Sequence, residues 1–192
     1  MNLPNKITVG RILMMSIFLV ICNVDELIRD DAARMWWRAV GLGFAMAAGF
    51  TDILDGYLAR KLNQVTDFGK LMDPLADKIF TATTFIMLVD KGLLPGWVAV
   101  VVLSREFMVT GLRLLAARKG EVISADITGK IKTVFQMVFL LFGGSMWVGW
   151  VPHENKTVQC YWMVFYLCVV LVTVYSGVSY FIRHRALYSS DA

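Results

Sequence analysis

The chain has 192 residues, 57% hydrophobic, 18% charged and 12% aromatic, with a formal net charge of +4 and a mean hydropathy of +0.61. Several apolar runs approach the ~20 residues that cross a bilayer as a helix, which excludes a disordered chain or an ordinary water-soluble domain and points to an all-α integral membrane protein. No Gly/Ser-rich linker, low-complexity stretch or internal repeat divides it, so residues 1–192 read as a single membrane domain, with no nucleic-acid partner.

In chain order, we expect a short amphipathic N-terminal helix at the interface, with Asn5 and Thr8 capping it or lying beside it. Six transmembrane helices follow, over residues 12–24, 40–58, 75–89, 94–115, 133–151 and 158–182. The first apolar run leads into Asp25, Glu26 and Arg29 instead of a small-residue cleavage site, so it is expected to stay as a membrane helix. Lys and Arg gather beside the ends of these spans that share a face with both termini, which predicts that the termini are cytoplasmic in a multi-pass protein of the cell inner (cytoplasmic) membrane. That basic face suits anionic lipid headgroups or phosphorylated substrates. Cys22, Cys160 and Cys168 lie in or beside apolar spans without metal-type spacing and read as free thiols. His153 and His184 read as solvated.

The junction of the second and third spans reads DILDGYLARKLNQVTDFGKLMDPLAD from Asp52 to Asp77. Asp52 and Asp55 are three residues apart and Asp73 and Asp77 four, so each pair lies on one face of its own helix. A polar connection, KLNQVTDFG, makes the two spans an antiparallel hairpin and brings the four acids to one depth at the cytoplasmic surface, in one pocket. Carboxylates at the edge of hydrocarbon need cations or solvent. An all-oxygen set that leaves positions for water and phosphate suits Mg²⁺ or Mn²⁺, and four carboxylates can hold two such ions. Gly56 and Gly69 leave room for a nucleotide or diphosphate to lie against backbone, and Arg60 can bond a phosphate or pair with a neighbouring carboxylate. Pro74 fits a first-turn helix position, where its missing N–H is harmless.

The fourth span carries Arg105 and Glu106, charges that within a membrane should face the bundle interior or a wet cavity. Arg113 follows seven residues after Glu106 on nearly the same face, and Lys130 and Lys132 enter from the next helix. Arg105, Arg113 and Lys130, with Arg118 and Lys132 beside them, can hold an anionic group such as a phosphate.

The eight positions Asp52, Asp55, Gly56, Ala59, Arg60, Gly69, Asp73 and Asp77 match D-x-x-D-G-x-x-A-R-x8-G-x3-D-x3-D without a departure. In this the chain resembles the CDP-alcohol phosphatidyltransferase family. The resemblance implies that Asp52, Asp55, Asp73 and Asp77 bind two divalent metals, that Asp77 is also the general base, and that Asp55, Gly56, Ala59, Arg60 and Gly69 hold the CDP portion of the donor, with Asn5 and Thr8 helping to cover it. The opening LPNKITVGR and the segments SREFMVTGLRLLAARKG and GKIKT are similar to the bacterial phosphatidylglycerophosphate synthase branch. That implies transfer of a phosphatidyl group from CDP-diacylglycerol to glycerol 3-phosphate, whose phosphate would sit on Arg105, Arg113 and Lys130, in a homodimer. Inositol or its phosphate, serine and a phosphatidyl alcohol are the rival acceptors. A cation transporter also places carboxylates in a helical bundle, but these acids gather at one membrane face instead of crossing the midplane.

Overall fold

The computed structural model describes residues 3–61, 67–119 and 127–185, with the side chains of 3–6, 52–61, 67–71, 73, 74, 118 and 127–133 left out of the description. The described residues form six α-helices and no strand: α1 (Leu3–Val24), α2 (Asp31–Lys61), α3 (Asp67–Asp90), α4 (Gly96–Arg118), α5 (Ile127–Val148) and α6 (Lys156–Arg183), with a 3₁₀ turn at Asp25–Leu27. They fall into two compact units, residues 1–93 with 143–152, and residues 94–142 with 153–192.

Three helix starts differ from the sequence expectation. α1 runs unbroken from Leu3, so the separate interfacial helix is, among the described residues, only its first turns; Pro4 in the first turn costs no hydrogen bond. α2 begins nine residues before residue 40, because Asp30 Oδ2 accepts from Ala33 N at 2.7 Å and no breaker follows. α3 begins at Asp67, which moves Pro74 from a first turn to the helix interior, where the i−4 carbonyl loses its donor.

In the first unit α1 packs on both α2 and α3, and α2 on α3. The buried stripe of α1 is Thr8, Arg11, Met15, Phe18, Ile21 and Cys22, and it continues to Asp25 in the 3₁₀ turn, so that it begins and ends in polar groups. Gly41 of α2 brings the backbone close, since a β-carbon there would lie 2.8 Å from Ile21 Cγ2 and 3.0 Å from Trp147 Cη2. Trp147 in turn meets Phe18 edge-on at 5.9 Å. Ala45, Ala48 and Gly49 continue the same buried face, as their size suggests.

At one end of this unit the fully buried Asp25 ties three helices together. Its Oδ2 accepts from Arg38 Nε of α2 at 2.6 Å and its Oδ1 from Lys91 Nζ, just past α3, at 3.0 Å. Lys91 also reaches Glu26 at 2.8 Å, and Arg38 Nη1 donates to Trp147 O at 3.1 Å. Burial opposes the charge on Lys91, but its hydrogen bonds to Glu26 and Asp25 outweigh that and hold its pKa above the usual 10.5.

In the second unit α4 packs on α6 through Val109, Leu112, Ala116 and Tyr180. Phe139 of α5 stacks on Trp162 of α6 at 4.3 Å, and Phe142 meets the same ring at 5.6 Å. Asn155 caps α6 by accepting from Thr157 N at 2.9 Å.

Large apolar side chains such as Leu13, Phe50, Leu114, Tyr161 and Leu171 are exposed on helices of both units, a surface suited to hydrocarbon. Among the described residues, Ile7–Leu27 and Lys156–Arg183 are long and apolar enough to cross a membrane, with Val134–Val148 a shorter apolar stretch. The chain is a membrane protein whose described residues are all helical in their regular structure. Internal charges dilute α3 and α4, so composition alone does not carry the count to six spans. Cys22, Cys160 and Cys168 are free thiols.

Candidate active site

The Asp25 tie fixes the directions of α1, α2 and α3, because it joins the C-terminal end of α1, the N-terminal end of α2 and the C-terminal end of α3. α2 and α3 are therefore antiparallel, and the C-terminal end of α2 shares the opposite end of the unit with the N-terminal end of α3. Fourteen residues separate Asp25 from Arg11, Arg38 from Asp52 and Lys91 from Asp77. At a helical rise of ~1.5 Å per residue, all three lie about 21 Å from the tie. Thr8, Asp55 and Asp73 lie 17, 17 and 18 residues from the same anchors, one turn farther on. The four aspartates thus come from two antiparallel helices at matched depth.

Register carries the same result. On α2 the buried positions Ala45 and Ala48 lead at helical intervals to Asp52 and Asp55; on α3 the buried Leu88, Thr84 and Thr81 lead back to Asp77 and Asp73. Thr81 Oγ1 donates to Asp77 O at 3.2 Å, and Thr84 Oγ1 to Phe80 O at 2.9 Å, keeping these hydroxyls satisfied within α3. Asp77 is half-exposed, and its Oδ2 accepts from Lys78 Nζ at 2.8 Å. The side chains of Asp52, Asp55, Arg60 and Asp73, and the surroundings of Gly56, Ala59 and Gly69, lie outside the described residues, as does the connection at 62–66.

Four carboxylates offered from two helix ends form an all-oxygen donor set, which fits hard divalent cations such as Mg²⁺ or Mn²⁺. The residues that would hold them, on the sequence expectation, are Asp52, Asp55, Asp73 and Asp77.

α1 adds a buried arginine at the same level. Arg11 is 1% exposed and lies at the depth of Asp52 and Asp77, on the stripe that α1 turns toward α2 and α3. Its signal in the sequence was its place three residues after Thr8 in an apolar helix. Thr8 is buried inside α1, which starts five residues earlier at Leu3, so it is not the N-cap of that helix; the side chain of Asn5 lies outside the described residues.

In the second unit Arg105 and Arg113 share one face of α4 and meet α6. Arg105 Nη2 donates to Ser176 Oγ at 2.7 Å and its Nη1 approaches Glu106 Oε1 at 3.4 Å. Arg113 Nε donates to Tyr180 Oη at 3.1 Å, with its guanidinium carbon 5.6 Å from the centre of that ring. His184 is less solvated than its place in a basic tail suggests, for its ring lies 4.5 Å from that of Tyr180. The side chains of Arg118, Lys130 and Lys132 lie outside the described residues.

A family model described as CDP-alcohol phosphatidyltransferase matches residues 1–181. The chain belongs to the CDP-alcohol phosphatidyltransferase family. Among its relatives, a protein of Bacillus subtilis (strain 168) named CDP-diacylglycerol–glycerol-3-phosphate 3-phosphatidyltransferase is 40% identical over 195 residues, covering 99% of each chain. One of the same name from Rickettsia typhi is 32% identical, covering 94% of this chain and 95% of the relative. A probable phosphatidylglycerophosphate synthase of Mycobacterium tuberculosis (strain ATCC 25618 / H37Rv) is 36% identical over 95% of this chain and 81% of its own. For a phosphatidyltransferase of this family, the eight motif positions fall on the two helix ends that the Asp25 tie brings to one level.

Proposed function

We propose that the protein transfers the phosphatidyl group of CDP-diacylglycerol to sn-glycerol 3-phosphate, giving phosphatidylglycerophosphate and CMP. The observation that carries this reading is the matched depth of Asp52 and Asp55 on α2 with Asp73 and Asp77 on α3. The names of near full-length relatives support the acceptor.

In this reading Asp55, Gly56, Ala59, Arg60 and Gly69, with Asn5 and Thr8 of α1, hold the CDP group. Asp77 takes the proton from the acceptor's primary hydroxyl. The acceptor oxygen then bonds to the lipid-linked phosphorus as the bond from that phosphorus to the bridging oxygen breaks, and CMP leaves with the electron pair. One or two divalent cations held by the four aspartates would neutralise charge on the diphosphate. Among the described side chains of α1, α2 and α3, no Ser, Cys or His stands at the depth of the aspartates, which favours direct attack over a covalent intermediate. Arg105 and Arg113, with Lys130 and less directly Arg118 and Lys132, hold the acceptor's phosphate. Residues 1–192 act as one catalytic domain with six spans, as a homodimer in the cytoplasmic membrane, with both termini and the aspartates on the cytoplasmic side, as the bias of Lys and Arg supports.

The test is CMP release by the purified protein given CDP-diacylglycerol, Mg²⁺ and, in separate reactions, glycerol 3-phosphate, inositol, inositol phosphate, serine or a phosphatidyl alcohol. Release with glycerol 3-phosphate is expected. Release with another acceptor alone overturns the acceptor assignment, and cation flux without CMP overturns the reaction.

A further inference from the structure

We propose that Ser176 and Tyr180 of α6 are positioning residues that set Arg105 and Arg113 for the acceptor's phosphate. The inference rests on the reading, given above, that these two arginines bind that phosphate.

Arg105 and Arg113 are eight residues apart on α4, about 12 Å along its axis, whereas their partners Ser176 and Tyr180 are one turn apart on α6, about 6 Å. The two hydrogen bonds, 2.7 Å to Ser176 Oγ and 3.1 Å to Tyr180 Oη, therefore tie arginines from separate turns of α4 to one turn of α6. Arg105 is largely buried and Arg113 is exposed, so the pair runs from the α4–α6 contact out to solvent, where a soluble anion can reach it.

Ser176 is 1% exposed and Tyr180 4%, so both hydroxyls are held in place by packing. Val109, Leu112 and Ala116 pack on Tyr180 from α4, and His184 lies against its ring from the next turn of α6. Gly177 completes the arrangement on the other side. A β-carbon there would stand 3.0 Å from Arg105 Cγ, so the glycine lets the arginine's chain lie along the α6 backbone.

The arginines keep donors for a ligand. Arg105 Nε is buried without a hydrogen-bond partner, and Arg113 uses Nε on Tyr180, leaving both Nη groups for a bidentate contact. Ser176 and Tyr180 accept one hydrogen bond each, so they fix geometry without neutralising charge. A carboxylate at either position would do the opposite and compete with the phosphate. Arg105 already meets one carboxylate, Glu106, at 3.4 Å, and the two hydroxyls hold the arginines without adding another.

The experiment compares Ser176→Ala, Ser176→Thr and Tyr180→Phe with Arg105→Gln and Arg113→Gln, measuring KM for each substrate and kcat from CMP release. Loss of a hydroxyl bonded to a charged group should raise KM for glycerol 3-phosphate about five- to tenfold. KM for CDP-diacylglycerol and kcat should change less than about twofold, and Ser176→Thr should return toward the parent value. Equal changes for both substrates, or no change with glycerol 3-phosphate while the arginine variants lose it, overturn the positioning role and leave the acceptor assignment standing. If Arg105→Gln and Arg113→Gln also leave KM for glycerol 3-phosphate unaltered, the acceptor assignment itself fails.

Discussion

Arg38 donates from Nε to Oδ2 of the fully buried Asp25 at 2.6 Å, across the contact between α1 and α2. With Lys91 on Oδ1 at 3.0 Å, this carboxylate sets the axial register of three helices whose other ends carry Arg11, Asp52 and Asp77. Removing one member of a buried pair leaves the others charged and desolvated, so Asp25→Ala should cost about 3 to 5 kcal/mol. Thermal unfolding in detergent reads the loss directly. Adding Arg38→Met to Asp25→Ala should recover part of it, because one stranded charge is removed; no recovery would mean that Arg38 acts mainly through its bond to Trp147 O.

Lys91 supplies a pH test of the same tie. Burial disfavours its charge, yet the hydrogen bonds to Glu26 and Asp25 raise its pKa above 10.5 in the folded protein. A raised lysine pKa means that the folded state holds the proton more tightly than the unfolded chain. Its stabilising contribution is thus complete below the unfolded value and is lost as pH rises above 10.5 through the folded value. Melting temperature against pH should fall more steeply at the alkaline end for the parent than for Lys91→Met. Parallel curves would mean that the ion pairs add no pH-dependent stability.

Gly41 sets two effects against each other. Alanine is favoured over glycine in a helix by ~1 kcal/mol, but overpacking a filled core costs about 1 to 3 kcal/mol. Here the new carbon would stand 2.8 Å from Cγ2 of Ile21 and 3.0 Å from Trp147, both buried, with the indole edge-on to Phe18. A β-branched side chain and a wedged ring yield little, so Gly41→Ala should be net destabilising, by about 1 to 2 kcal/mol. Gly43, two residues on, has nothing within 4 Å of its added carbon, and Gly43→Ala should gain up to ~1 kcal/mol. Reversal of that order in thermal melts would show that the α1–α2 contact adapts.

The helix order was legible in the sequence because each helix carries an apolar run, and the Asp motif because its spacing is local. Helix starts were less so. α3 begins at Asp67 although Pro74 reads as a first-turn residue, and α2 begins at Asp31 although Trp36, Trp37 and Arg38 do not read as a span. The remaining gap is one of distance along the chain. Arg38 and Lys91 meet Asp25 across 13 and 66 residues, and periodicity within one helix carries no trace of such contacts. Arg11 was hidden for a related reason, since a single basic residue near a terminus reads as topology until its burial is seen. The row Ser176, Tyr180 and His184 has plain helical spacing, but only its partners on α4 and its ring contact give it chemistry.

Asp77 is the residue on which the proposed reaction turns. Its Oδ2 lies 2.8 Å from Lys78 Nζ and its side chain is 45% exposed, so one oxygen is engaged while the carboxylate remains open to a ligand. Asp77→Asn keeps size and shape but removes the group that accepts the acceptor's proton. Turnover should fall about 10²- to 10⁴-fold, the usual contribution of a general base. Stability should change little, within about 0.5 kcal/mol, because the pair with Lys78 is partly exposed. Rates of CMP release and melting temperatures with and without CMP, measured on one preparation, separate the two effects. A slow enzyme that CMP still stabilises fits a base beside an intact nucleotide site; near-parent turnover would assign the proton transfer to another group.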